Sequence, residues 1–108
     1  MFAAYNIAMS TEQIRIPRRK INQFCQKYGI KRLSLFGSVA RGEARLESDL
    51  DLLVDFKPEM QVGFLSLGQM QRELTVIFKR QVDLVPEVGL KSVIRDDVLR
   101  EARELYAS

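Results

Sequence analysis

The sequence predicts a small α/β or α+β domain in which helices cover a sheet of a few strands. Three features support this prediction. Short aliphatic runs have the length of strands, longer segments repeat apolar residues at helical spacing, and glycine or proline residues stand near the junctions. The chain of 108 residues corresponds to one domain, because single domains most often contain about 100–150 residues.

Apolar residues at intervals of three and four predict three main helices. The first begins near Pro17, because proline suits the first turn of a helix, and it ends at Gly29, a frequent stop signal. The second covers Phe64–Arg80, and the third covers Lys91–Tyr106. A further short helix or turn is expected at Val39–Arg45.

Three aliphatic runs predict strands at Leu33–Phe36, Leu50–Phe56 and Gln81–Val85. Apolar residues at alternate positions of the second run indicate a strand with one apolar face. The predicted order along the chain is therefore helix, strand, short helix, strand, helix, strand, helix. Residues 1–15 are expected to form an N-terminal tail, and residues 16–108 are expected to form the domain.

The composition excludes several classes of chemistry. The chain contains no histidine and a single cysteine, Cys25, so a histidine-dependent catalytic triad, a histidine-ligated zinc site and an internal disulfide are excluded. No apolar run approaches about 18 residues, so no membrane-spanning helix is expected. The lack of a cysteine framework and of a signal peptide predicts a cytoplasmic protein.

The charged residues are unevenly distributed. The formal net charge is +3, yet residues 1–45 carry nine basic and two acidic residues, whereas residues 46–108 carry eight basic and twelve acidic residues. A basic half of this kind is either a solvated helix face or a surface for phosphates, RNA or an acidic partner. No aromatic-rich RNA-binding motif accompanies it, so direct binding of nucleic acid is not expected.

Three aspartates are candidates for a metal site. Asp49 and Asp51 are two residues apart on a predicted strand, where alternate side chains point to the same face. Strands contain few aspartates, and like charges on one face repel, so a bound cation would explain the pair. Asp83 lies within the next predicted strand, as expected if the two strands are neighbours. Each aspartate alone would more often be structural or solvated, but the three together indicate a Mg²⁺ or Mn²⁺ site.

The turn at Gly37 and Ser38, after the first predicted strand, is a candidate phosphate-binding site. Glycine lets the backbone approach a ligand closely, and the following N–H groups and the Ser38 hydroxyl could bind phosphate oxygens. A simpler interpretation makes Ser38 the N-cap of a helix. Arg41 is either a phosphate or partner contact, or a solvated residue of the same helix.

Together these residues resemble the signature of the polymerase-β nucleotidyltransferase superfamily. That signature is Gly-Ser, ten further residues and Asp-x-Asp, and here ten residues separate Gly37-Ser38 from Asp49-Leu50-Asp51. The longer segment LFGSVARGEARLESDLDLLVDF closely resembles the minimal nucleotidyltransferases, called MNT proteins. The resemblance covers most of the chain, from about residue 21 to residue 106.

The resemblance implies a small mixed sheet backed by helices, and the transfer of a nucleoside monophosphate from a nucleoside triphosphate to a hydroxyl group. It implies that the Gly37-Ser38 turn holds the triphosphate and that Asp49 and Asp51 hold two divalent cations. The third carboxylate of the family falls on Asp83. Degenerate members lack this carboxylate, so its presence implies retained catalysis. The implied substrate is ATP, and the implied cofactors are two Mg²⁺ ions or, alternatively, Mn²⁺.

The resemblance also implies a protein partner. Many MNT proteins are antitoxins of a HEPN-domain ribonuclease toxin, which they silence by adenylylating a tyrosine. The usual HEPN ribonuclease motif needs histidine, so this chain is not itself such a toxin. Larger nucleotidyltransferases carry an additional acceptor-binding domain, whereas this chain has only one predicted helix after the strand of Asp83. A HEPN-type protein is therefore the expected acceptor, and an oligomer with this partner is expected.

Two other functions stay open at this point. The chain could neutralise its partner by stoichiometric contact, with a vestigial or regulatory nucleotide site. It could instead be a subunit of a nucleotidyltransferase that acts on a small or nucleic-acid acceptor and needs a second chain to bind it. A covalently modified protein partner would distinguish the transfer of a nucleoside monophosphate to that partner from these two functions.

Overall fold

The computed structural model of the protein describes residues 15–42 and 49–108. Most of the predicted N-terminal tail, and the end of the segment Val39–Arg45, lie outside the described residues. No helix in the described part of the chain is long and apolar enough to cross a membrane. The elements are α1 (Arg18–Lys27), β1 (Ile30–Phe36), α2 (Gly37–Ala40), β2 (Leu50–Phe56), α3 (Phe64–Phe78), β3 (Val82–Pro86), a 3₁₀ turn (Glu87–Gly89), α4 (Ser92–Glu101) and β4 (Arg103–Ala107).

The four strands form one mixed sheet in the order β3-β2-β1-β4. β1 pairs in antiparallel orientation with both β2 and β4, whereas β2 and β3 are parallel. α3 connects the two parallel strands, because such strands need a crossover connection that is usually a helix. The predicted small mixed sheet with helices is therefore confirmed.

Alternation along the strands gives the sheet an apolar face and a polar face. On β2, Leu50, Leu52 and Val54 are fully buried in the main core, so Asp51, Leu53 and Asp55 belong to the opposite face. This second face carries the aspartates, although Leu53 between them is buried as well. The apolar face is covered by α1 and α3. These two helices contribute Ile21, Phe24, Cys25, Met70 and Leu74 to the core.

The predicted final helix over Lys91–Tyr106 is wrong in its second half. α4 ends at Glu101, and the following residues form β4 along β1. Pairing with β4 satisfies backbone groups of β1 that would otherwise form an open sheet edge. Leu105 is buried in the core, whereas no residue of α4 is buried and Val93 is 80% exposed. The apolar spacing of this segment therefore did not reflect one buried helix face.

The other boundaries are close to the predicted ones. β2 has the predicted bounds, and β1 begins at Ile30, three residues earlier than expected. Gly29 ends α1 with a φ of 64°, as its role as a stop signal predicted. α3 ends at Phe78 because Lys79 adopts a left-handed conformation, with a φ of 58°.

β3 lies at one edge of the sheet, where side chains of α3 hydrogen-bond to its backbone. The N–H of Leu84 donates to Gln71 Oε1 at 2.9 Å, and the N–H of Val82 donates to Thr75 Oγ1 at 3.2 Å. These bonds satisfy donors that a foreign strand could otherwise use. They also fix α3 to the strand that carries Asp83.

Replacement of Gln71 by methionine, which has a similar shape, should lower the free energy of unfolding by about 1 kcal/mol. The reason is that the Leu84 N–H would lose its acceptor. Chemical denaturation measures the change, with Gln69→Met as the control because the Gln69 side chain lies on the same helix and is exposed. Equal losses in the two variants would contradict the role assigned to Gln71.

Candidate active site

The polar face of the sheet brings the three candidate aspartates to one end of two neighbouring strands. Asp51 on β2 lies directly opposite Asp83 on the parallel strand β3. Asp49 immediately precedes β2, and the N–H of Leu50 donates to Gln81 O at 2.9 Å, which fixes this end of β2 against β3. The predicted adjacency of the two strands is confirmed, and the metal-binding role of the aspartates stays a prediction.

Asp51 is the electrostatic centre of this group. Partial burial raises the pKa of Asp51, and the negative charges of Asp83 and Asp49 raise it further. The positive charge of Arg41 acts on the pKa of Asp51 in the opposite direction. Three carboxylates held this way repel one another, and a divalent cation would reverse the sign of the interaction.

The donor set fits a hard divalent cation. Carboxylate oxygens are typical ligands of Mg²⁺ and Mn²⁺. Among the described residues, no three acidic or cysteine side chains stand close enough to enclose a metal ion by themselves. Mg²⁺ usually takes only one or two protein carboxylates and fills the other positions with water and substrate phosphates. Asp51 and Asp83 are therefore suited to a metal site whose other positions are filled by water or by phosphate oxygens.

Gly37 lies against Asp51. β1 ends at Phe36, which pairs with Asp51 across the sheet, and Gly37 follows with a φ of 77°. A Cβ atom at position 37 would collide with Asp51 Oδ2 and would lie 3.2 Å from Asp51 Cγ. Glycine is therefore required both by the left-handed backbone and by the approach of the carboxylate. The structure thus brings the predicted turn and the predicted metal ligands together.

Ser38 does not act as the N-cap of α2. The N-cap position is Phe36, and no side chain caps this helix. Ser38 is half-buried one residue after Gly37, and the buried residues Val39 and Ala40 anchor the short helix in the core. The simpler interpretation of Ser38 is therefore wrong, and phosphate binding by Ser38 stays a prediction.

Arg41 follows α2 and forms an ion pair with α4. Its backbone N–H donates to Gly37 O at 3.1 Å, and its Nη1 lies 3.1 Å from Glu101 Oε2. Sequence reasoning missed Glu101, because 60 positions separate it from Arg41 and no motif marks it. The sequence carries no signal that could have identified this pair.

Asp51→Asn should stabilise the protein at pH 7 in the presence of EDTA. The raised pKa of Asp51 means that folding favours the neutral carboxyl group, so this contribution to stability is complete below the ordinary aspartate pKa and is lost as the pH rises. We expect a rise in Tm of about 1–4 °C at pH 7, since solvent screens part of the effect.

Thermal unfolding at several pH values tests this expectation. The gain from Asp51→Asn should shrink as the pH falls towards about 4 and should vanish below it, where the wild-type carboxyl is neutral in both the folded and the unfolded state. Asp96→Asn, at an exposed position of α4, controls for the loss of one negative charge. A gain that is independent of pH, or is equal in the control, would contradict the explanation.

A family model described as the nucleotidyltransferase domain matches residues 18–105 of the chain. The chain belongs to the nucleotidyltransferase domain family. This nucleotidyltransferase is 40% identical over 76 residues to the protein adenylyltransferase MntA of Thermococcus cleftensis, and the match covers 70% of this chain and 75% of the relative. The family assignment establishes an enzyme of the nucleotidyltransferase class with a nucleotide as its substrate.

Two solved structures resemble this nucleotidyltransferase. A structure described as a candidate minimal nucleotidyltransferase is 41% identical, with a TM-score of 0.70, and the match covers 87% of this chain and 94% of that one. A second structure contains an MNT antitoxin in complex with the tri-AMPylated HEPN toxin of Shewanella oneidensis. Its matching chain is 18% identical, with a TM-score of 0.62, and the match covers 84% of this chain and 70% of that one. At this lower identity the likeness shows the fold.

Proposed function

We propose that the chain transfers AMP from ATP to a hydroxyl group of a HEPN-type ribonuclease toxin and thereby acts as its antitoxin. The observation that carries this proposal is the placement of Asp51 opposite Asp83, with Gly37 against Asp51. The comparisons support it, since one relative is a protein adenylyltransferase and a solved structure of the same fold contains an MNT antitoxin with a tri-AMPylated HEPN toxin. The proposed acceptor is a tyrosine.

The reaction forms one bond and breaks one bond at the α-phosphorus of ATP. The acceptor oxygen bonds to the α-phosphorus, and the bond from this phosphorus to the oxygen that bridges the α- and β-phosphates breaks. Pyrophosphate leaves, and the hydroxyl proton passes to solvent. Transfers of this kind depend mainly on positioning and on charge stabilisation.

The residues of the chain supply the positioning. Asp49 and Asp51 would hold two Mg²⁺ ions or, alternatively, Mn²⁺, and Asp83 would complete the site nearest to the attacking hydroxyl. The Gly37-Ser38 turn binds the triphosphate, and Arg41 contacts a phosphate. The bound ions would lower the pKa of the attacking hydroxyl and neutralise charge on the leaving group.

Transfer between purified components tests this function. The chain and its partner are incubated with Mg²⁺ and with ATP, GTP, CTP or UTP in turn, and the intact mass of the partner is measured. We expect an increase by AMP units with ATP, and no increase when EDTA replaces Mg²⁺. An unmodified partner in all four reactions would contradict the proposal.

An antitoxin that acts by contact alone is the second candidate, and the start of α3 favours it. Phe64 and Leu65 are 93% and 90% exposed. Large apolar side chains exposed side by side are typical of protein–protein contact surfaces. Complete neutralisation of the toxin at a one-to-one ratio by a variant carrying Asp49→Asn and Asp51→Asn would favour this candidate.

A further inference from the structure

We propose that Glu101 competes with the triphosphate of the nucleotide for Arg41 and thereby sets the affinity of the enzyme for ATP. The inference rests on the proposed nucleotide site and adds a specific function for α4. Glu101 would act as a positioning residue, because it reaches the nucleotide only through the guanidinium of Arg41.

Arg41 belongs to the same short segment as the phosphate-binding turn. Its backbone N–H donates to Gly37 O at 3.1 Å, so the arginine is one helical turn away from Gly37 and Ser38. The charge of Arg41 also acts on Asp51 and lowers the pKa of that carboxyl. The guanidinium is therefore electrostatically coupled to Asp51, one of the aspartates around which the nucleotide is proposed to bind.

Glu101 forms an ion pair with this guanidinium. Arg41 Nη1 lies 3.1 Å from Glu101 Oε2, and the two side chains are 40% and 43% exposed. Ion pairs with this exposure contribute little to stability, because water and salt screen them. A triphosphate carries several negative charges and, like a carboxylate, forms charge-assisted and often bidentate hydrogen bonds with arginine. The nucleotide can therefore displace Glu101, although the exchange lowers the net gain from binding.

The sheet holds Glu101 at this position. Glu101 is the last residue of α4, and two residues later Arg103 pairs with Leu35 near the end of β1 that leads into Gly37. Arg41, Glu101 and Arg103 line one open depression of about 610 Å³ between α2 and the start of β4. Glu101 and Arg41 thus meet in a space that a ligand can enter, next to the end of the segment that carries the proposed phosphate-binding turn.

Calorimetric titration with AMP-PNP and Mg²⁺ at low salt tests the inference. Glu101→Gln should lower the Kd by about twofold to fivefold, the range that corresponds to an exposed ion pair. Arg41→Gln should raise the Kd. In the Arg41→Gln background, Glu101→Gln should have no effect, because the competition it relieves is already absent.

Asp97→Asn is the matched control. It breaks the exposed 2.9 Å pair between Asp97 and Arg100 on the same helix and removes the same charge. The Kd should stay at the wild-type value in this variant. An equal gain in the control, or a gain that persists without Arg41, would show a long-range charge effect and overturn the inference.

The other outcomes separate this inference from the proposed function. An unchanged or raised Kd in Glu101→Gln, with AMP-PNP bound normally by the wild type, overturns the inference alone. It would show that Glu101 does not compete for Arg41, or that it only supports α2. A wild-type protein that binds no AMP-PNP in the presence of Mg²⁺ would overturn the proposed function, and the inference with it.

Discussion

The double variant Asp49→Asn, Asp51→Asn is expected to lose at least about a thousandfold in the rate of AMP transfer, the loss that follows removal of strong transition-state stabilisation. The two changes remove most of the negative charge that would hold the ions and leave Asp83 as the remaining carboxylate of the site. Single-turnover measurements with Mg²⁺, ATP and the partner give the rate. The fold should persist, because neither side chain belongs to the apolar core of the sheet. We therefore expect the double variant still to bind the partner.

Asp55→Asn is the matched control for this loss. Asp55 lies on the same strand and the same face as Asp51, but at the other end of β2, where it is 3.9 Å from Arg32. We expect its transfer rate to stay close to that of the wild type. A double variant as active as Asp55→Asn would mean that the carboxylates at the start of β2 do not form the metal site.

Gly37→Ala should impair both activity and stability. A left-handed backbone costs an alanine about 1–2 kcal/mol, and the φ of Gly37 is 77°. The added Cβ would also push the carboxylate of Asp51 out of place. We expect a loss of about a hundredfold in the transfer rate, since a shift of about 1 Å in a catalytic group has an effect of this size.

Gly68→Ala separates these effects from the general effect of adding a methyl group. At position 68, within α3, the nearest atom to a Cβ would be Arg72 Nη1 at an ordinary contact distance of 3.6 Å. This change should raise the free energy of unfolding by about 0.5–1 kcal/mol, because alanine suits a helix interior better than glycine. Wild-type activity in Gly37→Ala would contradict the close packing of the turn against Asp51.

The parts of the fold that could be predicted are those with local signals. β2 has its predicted bounds because Leu50, Leu52 and Val54, at alternate positions along it, all point into the core. The position of Asp83 beside Asp51 could also be predicted, because one helix between two strands is typical of a parallel crossover. Strand β4 could not be predicted, since a need of β1 for a partner, rather than any local pattern, determines its conformation.

In the candidate site, too, the residues with a local sequence signal could be predicted, and the contacts that depend on the fold could not. Gly37, Ser38, Asp49 and Asp51 could be proposed as site residues because their spacing matches a family signature, and Asp83 because it lies in the next predicted strand. The roles of these five residues stay predictions. The dependence of Gly37 on Asp51 could not, because it comes from the pairing of β1 with β2. The Arg41–Glu101 ion pair depends on where α4 ends and on how β4 pairs with β1, so the sequence alone could not predict it.

The intact masses of the chain and its HEPN-type partner after co-expression test the central claim most directly. With the wild-type chain, the mass of the partner should increase by one or more AMP units. With Asp49→Asn and Asp51→Asn, the partner should keep its unmodified mass while still binding the chain. An unmodified partner in a tight complex with the wild-type chain would contradict catalysis by this site and would indicate an antitoxin that acts by contact alone.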